Sequence, residues 1–66
     1  MEVNAIELKR IREAKALSLR ELEQVSGVHH NVIWRLENGV RTGAHPKTVR
    51  KLASALGVEP SELLRQ

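Results

Sequence analysis

Apolar residues recur along this chain at the three- and four-residue spacings of helices, and no segment shows the strict alternation of a strand. Leu8, Ile11 and Ala14 form a first inward stripe, with Leu17 closing the turn after it. Asn4 is the cap of that helix, Glu7 stands three positions on as its reciprocal partner, and Val3 is placed to staple onto Leu8. Ser18 opens a second helix with Glu21 as its capping partner; Leu22 and Val25 are its predicted buried stripe, and Gly27 ends it. After Gly27-Val28-His29 a third helix runs to about Asn38 with Ile33 and Leu36 inward, and Asn38-Gly39 is its stop signal. The stretch from Gly39 to His45 has two glycines and no apolar period, so it reads as a surface loop. Pro46 fits the first turn of a fourth helix, where a missing N–H costs nothing; Val49, Leu52, Ala53 and Leu56 follow inward, up to Gly57. Pro60 starts a short fifth helix bearing Leu63 and Leu64. The pattern predicts an all-α fold of five helices in one domain over residues 1–66.

Length limits what such a domain can hold. At 66 residues it buries only about 60% of the surface of its unfolded chain. With no cysteine, neither a disulfide nor a thiolate zinc site is available to staple it, and this composition suits the reducing cytoplasm. Phe and Tyr are absent and Trp34 is the only aromatic, so the core must be aliphatic. The longest apolar run, Val32 to Trp34, falls far short of the roughly 20 residues of a membrane span, and no targeting segment is visible. An enclosed substrate pocket of roughly 300 Å³ or more would hollow out most of the core. No nucleophile stands beside a base, no carboxylates pair, and no glycine loop is built for phosphate, so neither catalysis nor a cofactor is expected.

The net charge of +3 is modest, but it is unevenly placed. Residues 27–51 carry Arg35, Arg41, Lys47, Arg50 and Lys51 against Glu37 alone, whereas residues 1–26 balance five basic with five acidic side chains. A local basic face of this kind suits a polyanion. It coincides with the third helix, whose predicted outer side bears His29, His30, Asn31, Trp34, Arg35 and Asn38.

Leu19 to Asn38 reads as two short helices about a glycine turn, locked by Leu22, Val28, Ile33 and Leu36, with the second helix free to enter a major groove of double-stranded DNA. Asn31 matches adenine and Arg35 matches guanine in bidentate geometry, His30 could donate to a base edge or a phosphate, and Trp34 could pack on a thymine methyl or a sugar. Leu19 and Arg20 at one helix start, with Arg41 and Thr42 in the loop, are candidate backbone clamps, joined by His29, Asn38 and His45 at helix ends.

These residues carry a resemblance to the Cro and phage-repressor (Xre) family over essentially the whole chain. It rests on Arg12, Leu17-Ser18, Glu21-Leu22, Gly27-Val28, Ile33, Arg35-Leu36-Glu37-Asn38-Gly39 and Ala53-Ser54-Ala55-Leu56-Gly57-Val58. The resemblance implies a compact five-helix, lambda-repressor-like domain and a transcriptional regulator, repressor-like, on a two-fold operator. It also implies a structural ion pair between Arg12 and Glu37. The chain departs from the family pattern in three places. Leu19 replaces a glutamine that touches DNA. Glu23 replaces an alanine, implying a wider helix crossing or a side chain turned to solvent. His29 replaces a serine or threonine cap, implying a weaker start to the third helix.

Other readings stand beside this one. Leu19, Val32 and Trp34 give the outer side an apolar character that would suit a protein-interaction module, or an antitoxin that binds both an operator and a toxin. A homodimer would have to use Leu63 and Leu64, so pairing is expected to be weak or completed on DNA. His29 and His30 are adjacent, which on a helix sets them about 100 degrees apart, and no third ligand is evident, so no metal site is expected.

Overall fold

The stripes fold into four α-helices, α1 (Ala5–Ala14), α2 (Leu19–Ser26), α3 (His30–Glu37) and α4 (Pro46–Leu56), followed by a 3-10 turn at Pro60–Leu63. The computed structural model describes all of residues 1–66. The fifth element is therefore one 3-10 turn and not the α-helix read from the sequence. Leu64 has already returned to extended backbone, at φ −104° and ψ 147°, where it bridges to Val3 and ends the turn.

Local capping explains most of the boundaries. The Ser18 hydroxyl accepts from the Glu21 N–H at 3.0 Å while the Glu21 carboxylate accepts from the Ser18 N–H at 2.9 Å, a complete capping box. The corresponding box at α1 is only half formed. Asn4 Oδ1 accepts from the Glu7 N–H at 3.1 Å, but the Asn4 N–H donates to the Leu63 carbonyl and Glu7 pairs with Arg10 instead. Gly27 closes α2 at φ 77°, a left-handed conformation that glycine adopts without a steric cost. Ala16 holds a similar conformation, at φ 57°, between α1 and α2, and is the one non-glycine residue that does so. Relieving that strain, Ala16→Gly should leave the domain as stable as before or raise stability by up to about 1 kcal/mol, as read by urea denaturation.

Leu8, Leu22, Ile33, Leu36, Val49, Leu52, Leu56 and Leu63 are almost completely enclosed. α2 packs on both α3 and α4, α1 on α3, and the 3-10 turn on α4 and α1. Three residues sit differently from the sequence pattern. Val25 is 59% exposed because α2 is rotated so that Leu19, Leu22 and Ser26 face inward, at i, i+3 and i+7. Ala14, the last residue of α1, is also exposed. Leu63, assigned to dimerisation, is only 1% exposed and belongs to the core, while Leu64 is half-buried against it.

The amino-terminal segment is laced between two others. The Val3 N–H donates to the Thr42 carbonyl and the Ala44 N–H to the Met1 carbonyl, both at 2.8 Å, while the Arg65 N–H donates to the Glu2 carbonyl at 3.0 Å. The first two bonds fix the loop between α3 and α4, the loop that carries Arg41 and Thr42.

Candidate nucleic-acid interface

The second helix of the pair is held from behind by an enclosed ion pair. Arg12 Nε donates to Glu37 Oε2 at 2.7 Å and Arg12 Nη2 to Glu37 Oε1 at 2.9 Å, the two-pronged geometry that a guanidinium allows. Arg12 Nη1 donates to the Leu17 carbonyl at 2.7 Å, so the same side chain also ties down the turn before α2. The bonds to Glu37 push the arginine's pKa further up, against the opposing effect of burial. Arg12 is 9% exposed, and the Glu37 side chain 2%, which takes both away from any groove.

With Ile33 and Leu36 buried, the opposite side of α3 presents Asn31, Trp34, Arg35 and Asn38, at i, i+3, i+4 and i+7. The Asn31 side-chain amide and the Arg35 guanidinium bond to nothing within the protein, and Trp34 is 47% exposed. Asn38 instead turns its amide back, donating from Nδ2 to the Trp34 carbonyl at 2.8 Å, and so acts at the helix end. Leu19 and Val32 are half-buried against the core, so the outer side is less apolar than the sequence suggests.

Free backbone donors are found at the starts of α1, α2 and α4, and those of α2 and α4 lie near the groove-facing elements. The Leu19 and Arg20 N–H groups of α2 have no acceptor inside the protein, and neither do those of Lys47 and Thr48 in α4, where Pro46 has no N–H and His45 makes no side-chain cap. Such N–H groups and the helix dipole favour phosphate oxygens. Arg41 lies in the laced loop, its Nε donating to the Gly43 carbonyl at 2.9 Å, and Thr42 is exposed beside it.

The start of α3 is built differently. His29 Nδ1 accepts from the Asn31 N–H at 3.1 Å, so the histidine caps the helix as a serine would. Glu23 reaches across from α2: its Oε1 accepts from the His30 N–H at 3.1 Å and lies 2.6 Å from His30 Nδ1. Glu23, partly exposed, thus staples α2 to α3. His30 is correspondingly drawn back, with only its remaining ring edge free. The bonds from His30 hold the Glu23 carboxyl below its ordinary pKa, and those from Ser18 do the same for Glu21. A lowered native pKa gives stability that is complete above the ordinary carboxylate range and is lost as pH falls through the lowered value. The melting temperature should therefore drop on acidification, and less so in Glu23→Gln.

This geometry defines a helix-turn-helix class of protein, with α2 and α3 as the paired helices. A helix-turn-helix family model matches residues 8–63, and the chain belongs to that family, in its Cro and phage-repressor (Xre) branch. It is 40% identical over 58 residues to the HTH-type transcriptional repressor RghR of Bacillus subtilis, covering 88% of this chain and 43% of that protein. The chain spans less than half the length of the curated relatives it matches. Among solved structures it resembles the restriction-modification controller protein C.AhdI of Aeromonas hydrophila, at 35% identity and a TM-score of 0.83, covering 91% of this chain and 89% of that one. It is similarly close to the N-terminal DNA-binding domain of SinR from Bacillus subtilis, at 26% identity and a TM-score of 0.82 over 96% of both chains. No helix is long and apolar enough to cross a membrane.

Proposed function

We propose that residues 1–66 form one domain that reads duplex DNA with α3 in the major groove and acts as a repressor-like transcriptional regulator on a two-fold operator. The observation that carries this reading is the outer face of α3, where Asn31, Trp34 and Arg35 stand exposed without protein partners on one helical face. Asn31 is assigned to adenine, Arg35 to guanine and Trp34 to a thymine methyl or a sugar. The free amides of Leu19 and Arg20, together with Arg41, Thr42 and His45, are assigned to phosphates, which set register without reading sequence. His30 contributes only through Nε2, because Nδ1 is held by Glu23.

Two copies on a two-fold site would set their α3 helices about 34 Å apart, one turn of DNA. With Leu63 enclosed, we assign that pairing to the spacing of the operator halves, in a cytoplasmic setting. The rival reading as a protein-interaction module or toxin-binding antitoxin rested on the apolar outer side, and with Leu19 and Val32 half-buried only Trp34 remains to support it. Selection from a random duplex library tests the proposal. A two-fold consensus with adenine and guanine at corresponding positions of each half is the expected outcome, and failure to enrich any sequence would overturn it.

A further inference from the structure

The structure brings a third ligand group to the adjacent histidines and takes one of them out of the helix. His29 is not in the helix: it is the cap of α3, with φ −59° and ψ 139°, so the divergence of neighbouring helical side chains does not apply to it. Its ring stacks on that of His30, with centroids 4.3 Å apart and planes 26° from parallel. The missing third ligand comes from another helix, since one ligand atom from each of Glu23, His29 and His30 lies within 4.8 Å of the other two.

We propose that Glu23, His29 and His30 form a binding site for a divalent first-row transition metal, with Zn²⁺ as its reference ion, joining α2 to the start of the recognition helix α3. Two imidazoles and one carboxylate suit zinc, nickel or copper(II), whereas magnesium prefers a shell of oxygens. Ligands about 2.0 to 2.1 Å from a tetrahedral zinc lie roughly 3.4 Å from one another. The 2.6 Å contact between Glu23 Oε1 and His30 Nδ1 must open, and the His29 ring must move in. Both movements are open to these side chains, because His29 is exposed and Glu23 and His30 are only partly covered. Glu23 Oε2 accepts no hydrogen bond and is available as the carboxylate ligand.

The exchange balances without any other reactant. With the His30 ring proton placed on Nε2, the metal takes the Nδ1 lone pair. On His29 the Nδ1 lone pair that now accepts from the Asn31 N–H turns to the metal. Metal binding therefore competes with the cap of α3, and the positive end of the helix dipole opposes it while the Glu23 charge favours it. The affinity is accordingly moderate, and the Asn31 backbone N–H reports occupancy directly.

The site is independent of the DNA-binding reading, so it is tested on the untagged chain without DNA, by titrating ZnCl₂ and following imidazole and amide resonances. His29, His30 and the Asn31 amide should shift and saturate at one equivalent, while His45, the third histidine, stays in place; MgCl₂ should move none of them. Glu23→Gln keeps an acceptor for the His30 N–H and His29→Asn keeps a helix cap, so both should fold. Each should weaken Zn²⁺ binding at least tenfold, about the least lost when even a group supporting a metal ligand is removed. Absence of shifts, an equal response of His45, a like effect of Mg²⁺, or unchanged affinity in either variant would overturn the proposal.

Discussion

Arg12→Ala should remove most of the domain's stability. The change strands Glu37, whose side chain is 2% exposed, without its partner, and breaking a buried pair from one side commonly costs about 3–5 kcal/mol. A chain of this length has roughly 3–10 kcal/mol of stability in all. The loss also frees the Leu17 carbonyl, which Arg12 Nη1 binds at 2.7 Å, so the turn leading into α2 loosens with α3. The double change Arg12→Met with Glu37→Leu should recover much of the deficit, because apolar side chains of similar volume often replace a buried pair at little cost. Urea denaturation followed by far-ultraviolet circular dichroism separates the cases. A deficit for Arg12→Ala below about 1 kcal/mol, the range of an exposed pair, would contradict the enclosed geometry.

The second large effect concerns the division of labour on DNA. Arg35→Ala should cost about 1–3 kcal/mol on the preferred sequence and much less on others, because a two-pronged contact to guanine discriminates between bases. Arg41→Ala should weaken binding to every sequence alike and lower the salt slope by about 1, as loss of a phosphate contact does. Arg41 also bonds to the Gly43 carbonyl within its loop. Arg41→Lys, which keeps the charge and loses that bond, distinguishes the charge from the loop geometry. Mobility-shift titrations on the selected operator and on a scrambled duplex give both ratios. Equal losses for Arg35→Ala and Arg41→Ala on both duplexes would refute the assigned roles.

Local signals made the helices legible in the sequence. Ser18 with Glu21, the glycines after α2, α3 and α4, and Pro46 act within a turn of their own position, and the structure places α2, α3 and α4 within about a residue of those signals. The contact between Arg12 and Glu37, 25 positions apart, came through family resemblance, since no local pattern encodes it. The rotation of α2 was hidden because Leu22 has an apolar neighbour three residues away on either side, Leu19 and Val25, and packing on α3 and α4 decides between them. At position 23 the family pattern has an alanine, which says nothing of what a glutamate does there. Its length lets it reach α3, cap the His30 N–H and draw the His30 ring back from the groove face. The lacing of the amino-terminal segment uses main-chain groups alone, which leave no side-chain pattern to read.

Trp34, the only indole in the chain, reports most directly on whether the outer face of α3 meets DNA. Titrating the protein with duplex DNA at about 50 and 200 mM salt should change its fluorescence, with a dissociation constant of roughly 10⁻⁴ to 10⁻⁶ M even on non-specific sequence and a steep weakening at the higher salt. No fluorescence change at either salt and no mobility shift, with helicity intact, would contradict duplex DNA as the ligand of this face.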